Sequence, residues 1–250
     1  MVDQPDIPSS PLASATAPWR ACVLIPAYNA ERTLGAVVDE LRAAIPLCRE
    51  PRTLLVVNDG STDNTARVAK ERHCEVISIE KNSGKGAALK AGFVHAQSLG
   101  FEVVLTVDAD GQHPAESART VLFASDNANA LVLGVRDLAR VGAPKKNRFS
   151  NGVSNTFLSW FTGTRLQDTQ CGLRRYPLER TLALGGVSDG YAFEAEILMR
   201  ALAAKVPVEE YVVDVRYPKD RTTHFDTVKD PIRMIVTVLR TLKDTRGKAG

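Results

Sequence analysis

The chain has 250 residues, a formal net charge of +3 and four cysteines. A net charge this small for the length gives no indication of nucleic-acid binding, and the composition is typical of a globular protein. The cysteines lie far apart in the sequence, so we expect neither a zinc site nor a disulfide framework.

Three segments are predicted along the chain. Residues 1–19 are rich in proline, serine and alanine and lack the pattern of a signal peptide, which indicates a disordered leader. Residues 20–227 form the predicted folded domain, and residues 228–250 form a C-terminal amphipathic helix and tail. No stretch reaches the roughly 18 uninterrupted apolar residues of a membrane span. Any membrane contact is therefore expected at the surface, with the last helix as the candidate.

Short apolar runs alternate with helical spacings along most of the domain. The runs predict strands at 21–25, 53–57, 75–79, 103–108, 130–135 and 206–217. The spacings between them predict helices at 33–45, 64–73, 87–99, from about 114, around 157–161, and 191–201. This alternation predicts an α/β fold, a mostly parallel sheet with helices on both faces.

Polar residues follow the ends of four predicted strands. They are Tyr28 to Glu31, Asp59, Lys85, and the pair Asp108 and Asp110. Ligands bind outside the carboxyl ends of the strands in such sheets, so we expect these residues to converge on one crevice.

Two carboxylates separated by one residue, Asp108 and Asp110, repel each other unless a cation or a hydrogen-bonded loop offsets the repulsion. We favour a hard divalent cation, Mg²⁺ or Mn²⁺, over helix caps, because Asp108 would have no capping role. Asp59 is a candidate either for a helix cap or for hydrogen bonds to a nucleobase or ribose. Lys85 follows a glycine but lacks the P-loop spacing, so a phosphate contact and an exposed lysine remain alternatives.

Five short motifs occur in order along the chain. They are LIPAYNAE (24–31), VVNDGSTD (56–63), NSGKG (82–86), VDADGQHP (107–114) and QDTQCG (167–172). Together they resemble the family-2 glycosyltransferases with the GT-A fold, and among these the polyprenol-phosphate sugar synthases. The resemblance covers about residues 20–225.

The resemblance implies roles for the residues on the donor side. Pro26, Tyr28 and Glu31 would line the nucleotide pocket, with Asp59 at its base. Asp108 and Asp110 would hold the donor diphosphate through the divalent metal, with Gln112 also close to the metal.

On the acceptor side, Arg136, the basic loop after it and Arg221 would face the acceptor phosphate or the donor diphosphate. His224 lies in the same closing loop as Arg221. The sequence departs from the family pattern at Asn58, where many relatives have aspartate, and in the closing loop at 219–224.

The function implied is an inverting, metal-dependent transfer of a sugar from a GDP- or UDP-sugar to a polyprenol phosphate. The expected location is cytoplasmic, with peripheral contact to the cytoplasmic membrane face. One alternative is a sugar or protein hydroxyl acceptor, which would need a general base, and Asp168 is the candidate. The other alternative is a non-catalytic module that binds a sugar nucleotide.

Overall fold

The computed structural model describes residues 18–50, 52–138 and 145–216, and within them strands and helices alternate. The strands are β1 (Ala21–Ala27), β2 (Leu54–Asp59), β3 (Glu75–Ile79), β4 (Val103–Thr106), β5 (Leu131–Arg136), β6 (Arg174–Pro177) and β7 (Val208–Val213). The helices are α1 (Leu34–Ala44), α2 (Thr65–Glu71), α3 (Lys85–Ser98), α4 (Ala115–Phe123), α5 (Lys145–Thr162), α6 (Leu178–Leu184) and α7 (Ala192–Ala203). A short 3-10 helix (Pro46–Arg49) follows α1.

The described strands form one sheet in the order β3-β2-β1-β4-β6-β5-β7. Strand β6 runs antiparallel to β4 and β5, and the other pairings are parallel. The α/β prediction with a mostly parallel sheet is confirmed. Strand β6 was missed because its sequence, Arg-Arg-Tyr-Pro, has neither a β-branched run nor alternating polarity.

The sheet separates two apolar layers. Alternate residues of β1 point to opposite faces, as strand geometry requires: Val23 and Ile25 join the layer packed by α1 and α4, while Cys22 and Leu24 join the layer packed by α3 and α7. Both layers are fully buried at these positions. The central strands are therefore rigid supports for the loops that follow them.

The two arginines of β6 are buried and donate hydrogen bonds to main-chain oxygens, although Nε of Arg175 has no partner among the described residues. Arg174 donates to the carbonyl oxygens of Cys171, Thr169 and Glu194 at 2.7–2.8 Å. Arg175 donates to carbonyl oxygens just beyond α4. A buried guanidinium group needs such partners. Arg174 consequently ties the segment before β6 to α7.

The predicted leader extends to residue 19, but the structure places Trp19 in the folded domain. Trp19 is buried and stacks on Phe123 with ring centroids 6.2 Å apart. The predicted leader up to residue 17 and the C-terminal helix lie outside the described residues. Of the basic loop predicted after β5, Arg140 also lies outside them, whereas Lys145, Lys146 and Arg148 belong to α5, so the loop prediction is wrong for these three residues. No helix of the described part combines the length and apolar character needed to cross a bilayer.

Candidate active site

Strand β6 runs antiparallel to its neighbours, so it begins at the edge of the sheet where the parallel strands end. Thr106, the last residue of β4, pairs with Arg174, the first residue of β6. The segment 167–172, which precedes β6, therefore arrives beside Asp108, which follows β4. The hydroxyl of Thr106 donates to the carbonyl oxygen of Gly172 at 2.8 Å and holds the two together.

Lys85, the first residue of α3, lies between two carboxylates in this crevice. Its Nζ is 2.6 Å from Oδ1 of Asp108 and 3.1 Å from Oε2 of Glu194 on α7. The ring of Tyr191 lies 6.0 Å from the same ammonium group. The expected convergence of Lys85 and Asp108 is thus observed, and of the two earlier alternatives for Lys85 the exposed lysine does not hold.

Charge and burial act in opposite directions on this ion pair. Burial is the largest single effect and disfavours both charged forms, but the attraction between the two groups, their hydrogen bond and the other charges nearby together outweigh it. The pKa of Lys85 is raised, and the pKa of Asp108 is held below its usual range. For Asp110, burial and the nearby charge of Asp108 both raise the pKa of the carboxyl group. Asp110 is therefore a negative group whose charge Lys85 does not fully offset.

Asp110 sits in a tight turn that begins α4. Gly111 has a φ of +71°, which an L side chain rarely adopts. The backbone N–H of Gln112 donates to Oδ1 of Asp110 at 3.0 Å, and its side-chain amide donates to Oδ2. No side chain caps the start of α4, where Pro114 is the capping residue. The helix-cap alternative for this pair is not what the structure shows.

The residues at this point fit a hard divalent ion. Two carboxylates and the amide group of Gln112 offer oxygen ligands, which Mg²⁺ and Mn²⁺ prefer. Burial and the repulsion from Asp108 both raise the pKa of Asp110, and a cation would offset both effects. Across residues 18–50, 52–138 and 145–216, no cluster of three or more histidines, cysteines or acidic residues has the arrangement of a metal site. An ion here would need a ligand's oxygens or water to complete its coordination.

Gly172 is a position where the backbone approaches the charged groups so closely that any side chain would displace them. A Cβ atom there would lie 2.4 Å from Oδ2 of Asp108 and 2.6 Å from Nζ of Lys85. The motif QDTQCG thus contributes its main chain to the site.

Asp168, in the same motif, is fully buried and paired with Arg136 at the end of β5. Nε of Arg136 lies 2.6 Å from Oδ2 of Asp168, and Nη2 lies 3.0 Å from Oδ1. The backbone N–H groups of Arg136 and Gln170 donate to the same carboxylate. Both oxygens are therefore engaged, and the pair fastens the motif to β5.

We expect this pair to stabilise the fold. Replacing Arg136 with methionine leaves a buried carboxylate without its counter-ion, and the free energy of unfolding should fall by about 3–5 kcal/mol. The double variant Arg136→Met/Asp168→Asn removes that charge and should recover much of the loss. Urea denaturation of the three proteins measures both effects. Equal stability of the wild type and Arg136→Met would mean that the pair does not form in solution.

Asp59 holds the turn that leads to Lys85. Its two carboxylate oxygens accept hydrogen bonds from the backbone N–H groups of Ser83 (2.9 Å) and Gly84 (2.8 Å). Gly60, with a φ of +66°, packs against the backbone of Lys81 and Asn82, where a Cβ atom would lie 2.4 Å from a main-chain nitrogen. Asp59 therefore does not cap the helix that follows it. It positions the start of α3.

The loop after β1 is joined to the loop after β2. The carboxylate of Glu31 accepts hydrogen bonds from the backbone and side-chain nitrogens of Asn64, both at 3.0 Å. Asn29 exchanges hydrogen bonds with Ser61 and Thr62. Glu31 thus fixes the shape of the loop that carries Tyr28.

Pro26 and Tyr28 are half-buried at the end of β1.

The last described residue, Arg216, lies close to Asp108 and Asp110 along the chain of contacts, because its backbone N–H donates to the carbonyl oxygen of Gln112 at 2.7 Å. Arg221 and His224 lie outside the described residues.

Two residues near the site were not identified from the sequence. His113 is buried, and its Nδ1 has no hydrogen-bond partner among the described residues. Burial lowers the pKa of His113 to about 4, so the ring is neutral near pH 7. Glu194 was missed because its helix pattern, Phe-Glu-Ala-Glu-Ile, gives no indication which glutamate faces inward. Its contact with Lys85 appears only in the fold.

Comparison with known proteins agrees with this geometry. A model of glycosyl transferase family 2 matches residues 22–181. The polyprenol monophosphomannose synthase of Mycolicibacterium smegmatis is 30% identical over 195 residues, which cover 73% of this chain and 72% of that protein. The UDP-N-acetylglucosamine–dolichyl-phosphate N-acetylglucosaminyltransferase of Methanococcus voltae is 31% identical over 222 residues, which cover 78% and 85%.

A solved structure shares the fold. The glucosyl-3-phosphoglycerate synthase of Mycobacterium tuberculosis, in complex with Mn²⁺, uridine diphosphate and phosphoglyceric acid, matches with a TM-score of 0.70 at 19% identity. The match covers 91% of this chain and 80% of that one. The family resemblance of the five motifs is confirmed. The chain belongs to glycosyl transferase family 2, and it is a glycosyltransferase.

Proposed function

We propose that this glycosyltransferase moves a sugar from a nucleoside-diphosphate donor to a polyprenol phosphate, with a divalent metal and inversion at the anomeric carbon. The observation that carries the proposal is the buried crevice in which Lys85 contacts Asp108 and in which Asp110 has a raised pKa. A cation and a diphosphate together would match this set of charges. Both relatives described above are named for transfer to a polyprenol or dolichyl phosphate.

On the donor side, Asp108, Asp110 and Gln112 would hold the metal. The bound ion would offset the negative charge that develops on the leaving diphosphate. Lys85 is a preorganised positive charge in a buried place, where electrostatic stabilisation is stronger than in water. Pro26, Tyr28 and Glu31 would form the nucleotide side of the pocket. The structural neighbour with Mn²⁺ and uridine diphosphate favours such a donor without choosing between UDP and GDP.

On the acceptor side, the state of Asp168 separates two classes of acceptor. A phosphate monoester is already ionised near pH 7 and needs positioning, whereas a hydroxyl acceptor needs a general base. Both oxygens of Asp168 are engaged by Arg136, so this carboxylate is poorly placed to take a proton. This favours the phosphate acceptor. With a phosphate acceptor, Arg136 and Asp168 would position the segment 167–172 beside the acceptor. Arg221 and His224 would be candidates to contact the acceptor.

The proposal is tested by a transfer assay. Labelled UDP- and GDP-sugars are incubated with Mn²⁺ or Mg²⁺, with and without polyprenol phosphate, and the organic phase is counted. We expect label in that phase with one of the donors and only when the lipid is present. Transfer to a sugar or protein hydroxyl instead, abolished by Asp168→Asn while donor binding persists, would contradict the lipid-phosphate acceptor.

The acceptor also implies contact with a membrane surface. The predicted helix in residues 228–250 has an apolar face with Ile235 and Leu239, suited to lie in a membrane interface. We expect the full chain to float with anionic vesicles in a density gradient and Ile235→Glu/Leu239→Glu to stay at the bottom. The control Thr237→Glu/Thr241→Glu adds the same charge on the opposite, polar side of the predicted helix and should still float. Flotation of both variants would argue against this helix as the contact.

A further inference from the structure

Lys85 contacts two carboxylates, Asp108 and Glu194, and only Asp108 has a role in the proposed donor site. Oε2 of Glu194 lies 3.1 Å from the ammonium group, and Oδ1 of Asp108 lies 2.6 Å from it. The side chains of Lys85 and Glu194 are only 11% and 9% exposed. A contact this deeply buried is little screened by solvent.

A hydrogen bond to its backbone fixes the position of Glu194, and one of its carboxylate oxygens has no partner among the described residues. Its carbonyl oxygen accepts a hydrogen bond from the buried guanidinium group of Arg174 at 2.7 Å, which fixes its position on α7. Its Oε1 is buried without a hydrogen-bond partner among the described residues. A buried carboxylate with an unsatisfied oxygen costs free energy. Its orientation toward Lys85 offsets part of that cost.

The charges of this cluster indicate that Lys85 and a bound metal ion would compete for the carboxylate of Asp108. One ammonium group faces the carboxylates of Asp108 and Glu194, with the carboxyl group of Asp110 close by. A metal bound at Asp108 and Asp110 would share Asp108 with Lys85. A second carboxylate that holds Lys85 would let Asp108 bind the metal while the ammonium group stays in the crevice.

We propose that Glu194 is a positioning residue that holds Lys85 beside the metal-binding pair and weakens its hold on Asp108. This inference rests on the metal role proposed above. Without Glu194, Lys85 pairs with Asp108 alone and competes more strongly with the incoming ion. Without Lys85, the competitor is gone.

The two substitutions should therefore change metal affinity in opposite directions. Binding of Mn²⁺ alone, with no nucleotide, is measured from the loss of the free-ion EPR signal. We expect Glu194→Gln to raise the dissociation constant about tenfold and Lys85→Met to lower it severalfold, as expected when one buried charge is removed. Glu71→Gln removes an exposed carboxylate paired with Arg67 on α2 and should leave the constant unchanged.

The double variant separates positioning from a general loss of negative charge. In the Lys85→Met background, Glu194→Gln should change the Mn²⁺ dissociation constant less than about threefold, because the group that Glu194 positions is absent. A tenfold weakening in both backgrounds would overturn the proposal. So would weaker Mn²⁺ binding in Lys85→Met.

Melting temperatures of the metal-free proteins provide the second measurement. Lys85→Met leaves Glu194 without its counter-ion and should lower the melting temperature by about 10 °C. Adding Glu194→Gln should restore at least half of that loss, and no restoration would contradict the coupling. If the wild-type protein binds no Mn²⁺, the proposed metal role is wrong. If the wild type binds Mn²⁺ but the variants bind it equally well, only the positioning role of Glu194 is wrong.

Discussion

Replacing Asp110 with asparagine is expected to lower the rate of sugar transfer by about 1000-fold. The charge stabilisation that a bound metal supplies is worth several kcal/mol, and each 1.4 kcal/mol is tenfold in rate. Asp110 suits this test because its recorded hydrogen bonds run to Gln112, whereas Lys85 pairs with Asp108 and Glu194. The substitution removes a proposed metal ligand and leaves that ion-pair cluster in place.

Stability should respond differently from activity. Burial and the repulsion from Asp108 both raise the pKa of Asp110. Asparagine carries no charge and removes both penalties, so the metal-free variant should unfold at the same urea concentration as the wild type or a higher one. The control is Asp126→Asn, at an exposed position just after α4. Metal-dependent transfer by Asp110→Asn at more than about a tenth of the wild-type rate would mean that the pair does not hold the metal.

Gly172→Ala is the second substitution with a large expected effect. A methyl group here meets the end atoms of two side chains, Oδ2 of Asp108 and Nζ of Lys85. The fold can relieve this overlap by moving those atoms, so stability should fall by only about 1 kcal/mol. The same movement displaces the charged groups of the site. A displacement of about 1 Å can cost 100-fold in rate, and we expect a loss of at least that size.

A matched control lies in the same half of the chain. Gly152 on α5 is exposed, and a Cβ atom there would have no atom within 4 Å. Gly152→Ala should keep full activity and gain about 0.5–1 kcal/mol of stability from helix propensity. Steady-state transfer rates and urea denaturation of both variants give the comparison. Full activity in Gly172→Ala would show that the close approach is not needed.

The part of the site around Lys85 and Asp108 could be predicted because it follows local rules. The apolar runs of β1, β2 and β4 identify buried strands, and parallel strands place the residues after them at one edge. Lys85 and Asp108 could be brought together from this reasoning alone. The contacts of Asp59 with the turn before α3 could not, because the sequence does not show which backbone N–H groups a carboxylate will reach.

The remaining features depend on contacts between distant parts of the chain. Strand β6 is held by side-chain hydrogen bonds from Arg174 and Arg175, a kind of stabilisation that hydrophobic periodicity does not detect. Asp168 has the residue type of a general base, but its burial against Arg136 requires the antiparallel return of β6. The inward direction of Glu194 likewise depends on how α7 packs beside α3.

The most direct test is anomalous diffraction from crystals grown with Mn²⁺ and a nucleoside diphosphate. The proposed site predicts a manganese peak within coordination distance of carboxylate oxygens of Asp108 and Asp110, with the diphosphate on its open side. It also predicts that Lys85 keeps its contact with Glu194 and turns from Asp108 toward the diphosphate. A diphosphate bound in the crevice with no manganese peak at the two aspartates would contradict the metal-dependent mechanism.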